Sequence, residues 1–414
     1  MKRMGGPGSF LLDEEEKKAL IELIDSGRIF RYGDENDPKF LAKTWNLEKA
    51  LSDYLKLKHV VSVNSGTSAL ITAILALGIG PGDEVIVPGY TFVASITSVI
   101  YSKAIPVLAE IDSSLTLDPA DVEKKITERT KAIMLVHMMG GAGYIDEIKN
   151  IAVKKDVFLI EDCAQAFGVT YRGKSVGSYG NIGTYSFNPY KTITSGEGGA
   201  VATDDEALYR RAYSIHDMGH LALRKGIEMG NRTLIGYDFR MNELGAAVLL
   251  VQLKKMDFII KTLREKYMKF KKGIEDLKGI EFRHYPDPRG QIHTILTVIL
   301  PDEKTARAIG KELDCGVVAD AGWHVYNNME HVLEKKVPTG EGCPYTCPYY
   351  KGKIVEYEKG MLPQTDGILK RAINISIGVV DRGLGSGFGI SIESTDSEIE
   401  QTVEQFRKAA IKYL

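Results

Sequence analysis

Three runs in the first half of the chain, Val85–Val87, Ala132–Val136 and Val157–Ile160, are almost wholly apolar and only three to five residues long. They sit among stretches with helical apolar spacing, and that alternation restricts the possible folds severely. Short continuous apolar runs are what strands buried on both faces look like, and two-sided burial is the mark of a parallel sheet covered by helices. The reading gives strands at 59–63 (HVVSV), 84–88 (EVIVP), 105–112 (IPVLAEID), 131–137 (KAIMLVH) and 157–162 (VFLIED). Helices fall between them, over SALITAILAL, Thr91–Lys103, a stretch after Asp118 and the approach to Val157. An earlier helix has Asp13 as cap with Glu16 three residues on, and Gly27 ends it. The fold class is α/β with a central, mostly parallel sheet.

After about residue 240 the texture changes. A long helical region over roughly 241–278 is rich in Leu, Lys and Met, shorter strands follow, and a helix over about 394–412 closes the chain with Ser394 or Asp396 as cap. At 414 residues the chain exceeds one ordinary core, so two domains are expected: a large one over 1–255 and a smaller C-terminal α+β domain over 256–414. Residues 334–365, with much Gly, Pro, Tyr and Lys, read as a long loop.

Composition sets limits on function. With 44% hydrophobic and 26% charged residues and a net charge of −2, nothing calls for nucleic acid or an anionic membrane as partner. The opening MKRMGGPGSF lacks the apolar run of a signal peptide and no stretch reaches membrane-span length. A cytoplasmic enzyme is the expectation. Four cysteines make no disulfide framework, and Cys343 and Cys347 of CPYTC read as ordinary loop thiols. His216 and His220 are four apart but have no third ligand, so no metal site is expected. Gly78–Gly82 reads as a helix terminator and turn, and Gly383–Gly389 as a flexible loop first.

Ligands on open α/β sheets gather beyond the carboxyl ends of the strands, and four features fall there. Asn64-Ser65-Gly66-Thr67 separates a strand from a helix, where glycine permits close approach and free N–H groups bind phosphate; a plain capped helix reads the same way. Asp162 ends an apolar strand and needs a donor or cation as partner, such as a protonated pyridine nitrogen, unless it caps the next segment. In Ser186-Phe187-Asn188-Pro189-Tyr190-Lys191-Thr192, one lysine stands without charged neighbours before a run of glycines. A lysine held out of water has a lowered pKa and forms Schiff bases with carbonyls. Phe92, beyond the second strand, is placed to stack on a planar ring or to be core.

In their order and spacing, SGTSAL, TFVAS, VHMMG, EDCAQA and SFNPYKTITSGEGGA resemble the fold-type I, pyridoxal-phosphate-dependent sugar aminotransferases of the DegT/StrS kind. The resemblance implies a seven-stranded sheet and a cofactor that alternates between pyridoxal and pyridoxamine phosphate. It makes Lys191 the Schiff-base lysine and proton shuttle, Asp162 the partner of the pyridine nitrogen, Gln165 the contact of the ring hydroxyl and Phe92 the stacking ring. Ser65, Gly66, Thr67 and Ser186 hold the phosphate. It also implies a homodimer with shared active sites, in which a partner residue reaches the phosphate. That residue is usually Asn in a GYNYRM-like motif, whereas here Gly236-Tyr237-Asp238-Phe239-Arg240-Met241 places Asp238 there, with Arg240 as the cation that would compensate it.

Lys191 favours a transferase over the related dehydratases, which carry histidine at that position. A catalytically idle binding protein on the same fold is the alternative of a different class. The implied donor is L-glutamate or L-glutamine, and the acceptor a keto or aldehyde sugar, commonly nucleotide-linked. Phe30-Arg31-Tyr32, Val136-His137-Met138 and Tyr326-Asn327-Asn328 are similar to the aminotransferases that install nitrogen at C8 of 3-deoxy-manno-octulosonate. Trp323, His324, Asn327 and Asn328 are candidate acceptor contacts, or else a polar loop packing on the small domain. Arg31 is a candidate for bidentate carboxylate binding.

Overall fold

The computed structural model describes residues 4–222, 230, 232–339 and 341–414. The first three residues of the amino-terminal reading and Gly340 of the 334–365 stretch lie outside the described residues.

The alternation produces one seven-stranded sheet. Its strands are β1 (His59–Val63), β2 (Glu84–Pro88), β3 (Ile105–Ala109), β4 (Thr130–Val136), β5 (Phe158–Asp162), β6 (Ile182–Ser186) and β7 (Gly199–Thr203). Across the sheet they run β1-β7-β6-β5-β4-β2-β3. Only β7 is antiparallel to its neighbours, through the registers His59↔Thr203 and Ser186↔Gly199. Alternate residues of each strand enter opposite cores. Val60, Ile86, Ile133 and Leu135 pack with Leu47, Leu51, Ile145 and Phe167 on one face. Val61, Val85, Val87 and Met134 pack with Ala69, Ile74, Ile96 and Tyr213 on the other. Two buried faces are why these strands read as continuous apolar runs.

The C-terminal part is a three-stranded antiparallel sheet of β8 (Glu281–Phe282), β9 (Ile295–Ile299) and β10 (Ala372–Ser376), covered by helices that include Met256–Lys272, Glu303–Glu312 and Asp396–Tyr413. No helix among the described residues is long and apolar enough to cross a membrane.

Several local expectations meet the coordinates directly. Asp13 and Glu16 form the anticipated capping box, and Gly27 ends that helix at φ 66°. The helical region over 241–278 is two helices, Glu243–Lys254 and Met256–Lys272, meeting at Lys255, whose ammonium is drawn aside to Leu11 O (2.7 Å), Asp13 and Glu16. The last helix is capped by Thr395, not by Ser394 or Asp396. Thr395 has the extended backbone that lets its hydroxyl accept from Glu398 N–H while Glu398 reaches back to the Thr395 N–H. The reading of Cys343 and Cys347 as free loop thiols is corrected: the turn between them brings their Cα atoms to 4.1 Å and they form a disulfide. The surrounding segment is anchored on the large sheet, with Tyr350 Oη donating to Glu84 (2.8 Å) and Tyr357 Oη to Pro106 O (2.7 Å).

Candidate active site

The site lies at the carboxyl ends of β1, β2, β5 and β6. Beyond β1, Ser65 has extended backbone and its Oγ accepts from Ser68 N–H at 3.0 Å, which starts the helix Gly66–Ala76. The Gly66 and Thr67 N–H groups therefore belong to the first turn, where no intrahelical acceptor exists. The end of β6 comes up against this turn so closely that a Cβ on Gly66 would lie 2.6 Å from the Ser186 Cβ and 2.9 Å from its Oγ. Glycine at that position is what lets the helix start and the Ser186 hydroxyl share one cavity wall.

Asp162, at the end of β5, is 3% exposed. Its Oδ2 accepts from Ser95 Oγ (2.8 Å), which is itself bonded to Thr91 Oγ1 (2.7 Å), and its Oδ1 accepts from Ala164 N–H (3.0 Å). The carboxylate thus also caps the following segment, but with one oxygen only. No cation pairs with it among the described residues, so a buried carboxylate stands ready for a cationic partner from outside the chain. Gln165 accepts from the Met139 N–H (3.2 Å) through Oε1, leaving Nε2 to donate into the cavity.

Lys191 comes from the loop between β6 and β7. Asn188 shapes that loop locally: its Oδ1 accepts from Tyr190 N–H (3.0 Å) and its backbone O from Lys191 N–H (3.0 Å). The Lys191 amine has no hydrogen bond or ion pair among the described residues. Burial lowers its pKa below the ordinary lysine value, while Asp162, Asp381 and Glu197 pull the other way. It opens onto two adjoining cavities. The narrower contains Ser65, Gly66, Thr67, Phe92, Asp162, Gln165 and Ser186. The wider, of about 450 Å³, contains Phe92, Gln165, Tyr190, Thr294, Trp323, His324 and Asp381.

Trp323 and His324 arrive through pairing with the segment beyond β2, where Thr91 N–H donates to His324 O and Val93 N–H to Trp323 O, both at 2.9 Å. Phe92 then faces His324 with ring centroids 5.3 Å apart. His324 is 5% exposed, and its Nδ1 lies 3.3 Å from Gly383 O. A carbonyl only accepts, so Nδ1 carries the proton and Nε2 keeps its lone pair. Burial, then the charge of Lys191, lowers the His324 pKa to about 3.

Three of the anticipated substrate contacts are elsewhere. Arg31 is 1% exposed and pairs with Glu48 (Nη2–Oε1 2.7 Å), with Nη1 near Ser62 O and His216 Nε2; it braces β1 and offers nothing to a ligand. Asn327 donates to Asp366 Oδ1 (2.7 Å) and accepts from Gly360 N–H (2.9 Å), and Asn328 donates to Ala319 O (2.8 Å), so both shape their own loop. Asp238, 56% exposed in its side chain, pairs with Arg240 at 2.7 Å, and Arg240 also holds the buried Asp217 at 2.6 Å. Asp238 does not line the cavities of its own chain. His137, Glu161 and Cys163 bring potential ligand atoms together, but Glu161 is spent on His137 (3.0 Å) and on the Gly177, Tyr179 and Gly180 N–H groups.

Asp381 and Thr294 are among the cavity residues the sequence reading missed, as is Ser95. Asp381 closes the alternating stretch Ile373–Val380, directly after Val379-Val380, and precedes a glycine loop, a weaker form of the signature that singled out Asp162. Its Oδ1 accepts from Gly383 N–H at 2.8 Å, and burial raises its pKa.

A lysine between a carboxylate-floored slot and a wider cavity, on this sheet, is the arrangement of a fold-type I pyridoxal-phosphate-dependent aminotransferase. The model of the DegT/DnrJ/EryC1/StrS aminotransferase family matches residues 11–379, and the chain belongs to that family. It is 37% identical over 295 residues to GDP-perosamine synthase of Vibrio cholerae, an alignment covering 71% of this chain and 76% of that one. Its fold is similar to 3-amino-5-hydroxybenzoic acid synthase (TM-score 0.79, 25% identity, 99% and 100% of the two chains). It is also similar to the PLP form of a putative sugar aminotransferase from Streptococcus pneumoniae (TM-score 0.80, 20% identity, 100% and 99%).

Proposed function

We propose that this chain transfers an amino group from L-glutamate or L-glutamine to a keto or aldehyde sugar, with a nucleotide-linked ketosugar as the favoured acceptor. The observation that carries the reading is the unpartnered Lys191 amine facing both the slot with the Asp162 carboxylate and the wider cavity of Trp323 and His324. The relative from Vibrio cholerae bears a product name with a GDP-linked sugar, which supports the acceptor class.

Pyridoxal phosphate, when bound, supplies an electron sink that eases removal of a proton from the carbon bearing nitrogen. The chain's own groups then divide the work. Ser65, Gly66, Thr67 and Ser186 would hold the phosphate through a helix N-terminus and their hydroxyls. Asp162 would hold a proton on the pyridine nitrogen, Gln165 Nε2 would donate to the ring hydroxyl, and Phe92 would supply the stacking face. Lys191 Nζ, favoured in its neutral form by burial, would be the amine that holds the cofactor and the base that holds and releases a proton at the reacting carbon. Trp323 offers a flat face to the sugar, and His324 Nε2 accepts from a sugar hydroxyl.

The working unit is a cytoplasmic homodimer. Exposed Phe30 lies under the Arg240 guanidinium, and exposed Ile235 and Tyr237 stand just before Asp238 in the chain, apolar groups suited to a second copy. Asp238 there faces the neighbouring phosphate, with Arg240 offsetting its charge. The test is incubation with nitrogen-labelled glutamate or glutamine and a panel of nucleotide-linked ketosugars and of ketosugar acids. Label in a nucleotide-linked product supports the reading, label only in a sugar acid replaces the acceptor class, and no label in any sugar refutes it.

A further inference from the structure

The backbone that carries Lys191 is held from behind by a short segment near the amino terminus, Gly5–Ser9. Gly5 exchanges two backbone hydrogen bonds with Val380, at 3.1 and 2.9 Å. The Gly6 N–H donates to Pro189 O at 2.8 Å, and Ser9 Oγ donates to the same carbonyl. Pro189 stands two residues before Lys191, and Val380 directly precedes Asp381. The segment therefore ties together two walls of the wider cavity, the lysine loop and the Asp381 turn.

The approach is too close for side chains. A Cβ on Gly6 would lie 2.4 Å from Lys191 O and 2.5 Å from the carbonyl carbon and oxygen of Tyr190. One on Gly8 would lie 2.7 Å from Ile193 Cα and from Thr194 N. These obstacles are main-chain atoms, which cannot rotate aside as a side chain does, so a methyl group must displace the lysine loop itself. Gly5 adds a φ of +143°, a conformation that favours glycine. Beyond the contact, Lys255 Nζ donates to Leu11 O at 2.7 Å and pairs with Glu16, which fixes the far end of the segment to the second long helix. The segment is set against the main chain of the residue with the free amine.

We propose that Gly5–Ser9 is a positioning strap for Lys191, with Gly6 the residue that sets how far the amine reaches into the cavity. The inference rests on the reading of Lys191 as the cofactor-bearing amine. A displacement of the order of an ångström at a reacting group costs up to about a hundredfold in rate. In Gly6→Ala we expect bound cofactor, kcat lower by roughly tenfold to a hundredfold and a KM for the amino donor changed less than about twofold. The pH midpoint of the bound-cofactor absorbance should shift, and amide hydrogen exchange over residues 187–195 should quicken in the cofactor-free protein. Gly367→Ala, where a Cβ meets nothing within 4 Å, is the control and should match the wild type.

If Gly6→Ala is insoluble, Ser9→Ala removes the hydroxyl bond to Pro189 O while leaving the backbone contacts, and should move the same readouts less far. A soluble variant with lower thermal stability but unchanged kcat, pH midpoint and exchange would overturn the strap and leave a merely structural segment. Failure of the lysine assignment looks different, because a cofactor absorbance that persists unaltered in Lys191→Ala would refute that reading whatever Gly6 does.

Discussion

Ser95 Oγ donates to Asp162 Oδ2 at 2.8 Å, which fixes the plane of the one buried carboxylate that faces the narrow cavity. Ser95 lies on the helix Val93–Tyr101, and Thr91 holds its hydroxyl from the other side at 2.7 Å. A side chain from beyond β2 thus aims a side chain from β5.

Ser95→Ala should therefore weaken cofactor retention without unfolding the protein. Hydrogen bonds to charged groups contribute about 1.5–3 kcal/mol, so a loss of roughly tenfold or more in affinity for pyridoxal phosphate is expected. Titration of the cofactor-free protein measures it. Unaltered affinity would mean that Asp162 needs no such orientation.

Arg31→Ala tests whether the buried ion pair is structural. Removing one partner leaves Glu48 uncompensated in the core, at a cost of ~3–5 kcal/mol, and denaturant unfolding should register that loss. Preserved stability with a sharply raised donor KM would return Arg31 to the active site.

Parallel strands were readable because two-sided burial leaves continuous apolar runs such as Ile133–Val136, and Lys191 stood out because no charge surrounds it. Arg31 was misread because its partner, Glu48, lies on a separate helix, and nothing local distinguishes an arginine facing a core carboxylate from one facing a ligand. Asn327 and Asn328 failed likewise, since their acceptors at Asp366 and Ala319 depend on how a loop folds back. Asp381 had a usable signal, a carboxylate closing a strand-like alternating stretch, but the following glycines drew the reading towards flexibility. Cap residues are settled by backbone conformation, and so Thr395 was passed over for its neighbours.

The neutral His324 carries a pH consequence. Its pKa falls from 6.5 to about 3 on folding, so between these values the unfolded chain binds a proton that the folded chain refuses. The stability this group contributes is complete above pH 6.5 and is lost progressively as the pH falls towards about 3. His293, also lowered to about 3 by burial, adds to the same slope. His324→Gln should lose less stability than the wild type between roughly pH 7 and 5 in urea unfolding. An identical slope in both proteins would show that His324 is not buried neutral.

The Cys343–Cys347 bridge closes a very short loop, for which chain entropy gives about 2 kcal/mol at most. Because Tyr350 and Tyr357 anchor the segment independently, Cys343→Ser should cost no more than that in thermal unfolding and should leave turnover unchanged. A large loss of activity would tie this loop to the acceptor site.

The most direct measurement is the visible absorption spectrum of the purified protein before and after L-glutamate or L-glutamine, beside Lys191→Ala. The account predicts a yellow band from bound pyridoxal phosphate that bleaches with an amino donor and is absent or unresponsive in the variant. A protein that takes up no pyridoxal phosphate, or a variant that behaves as the wild type does, would contradict it.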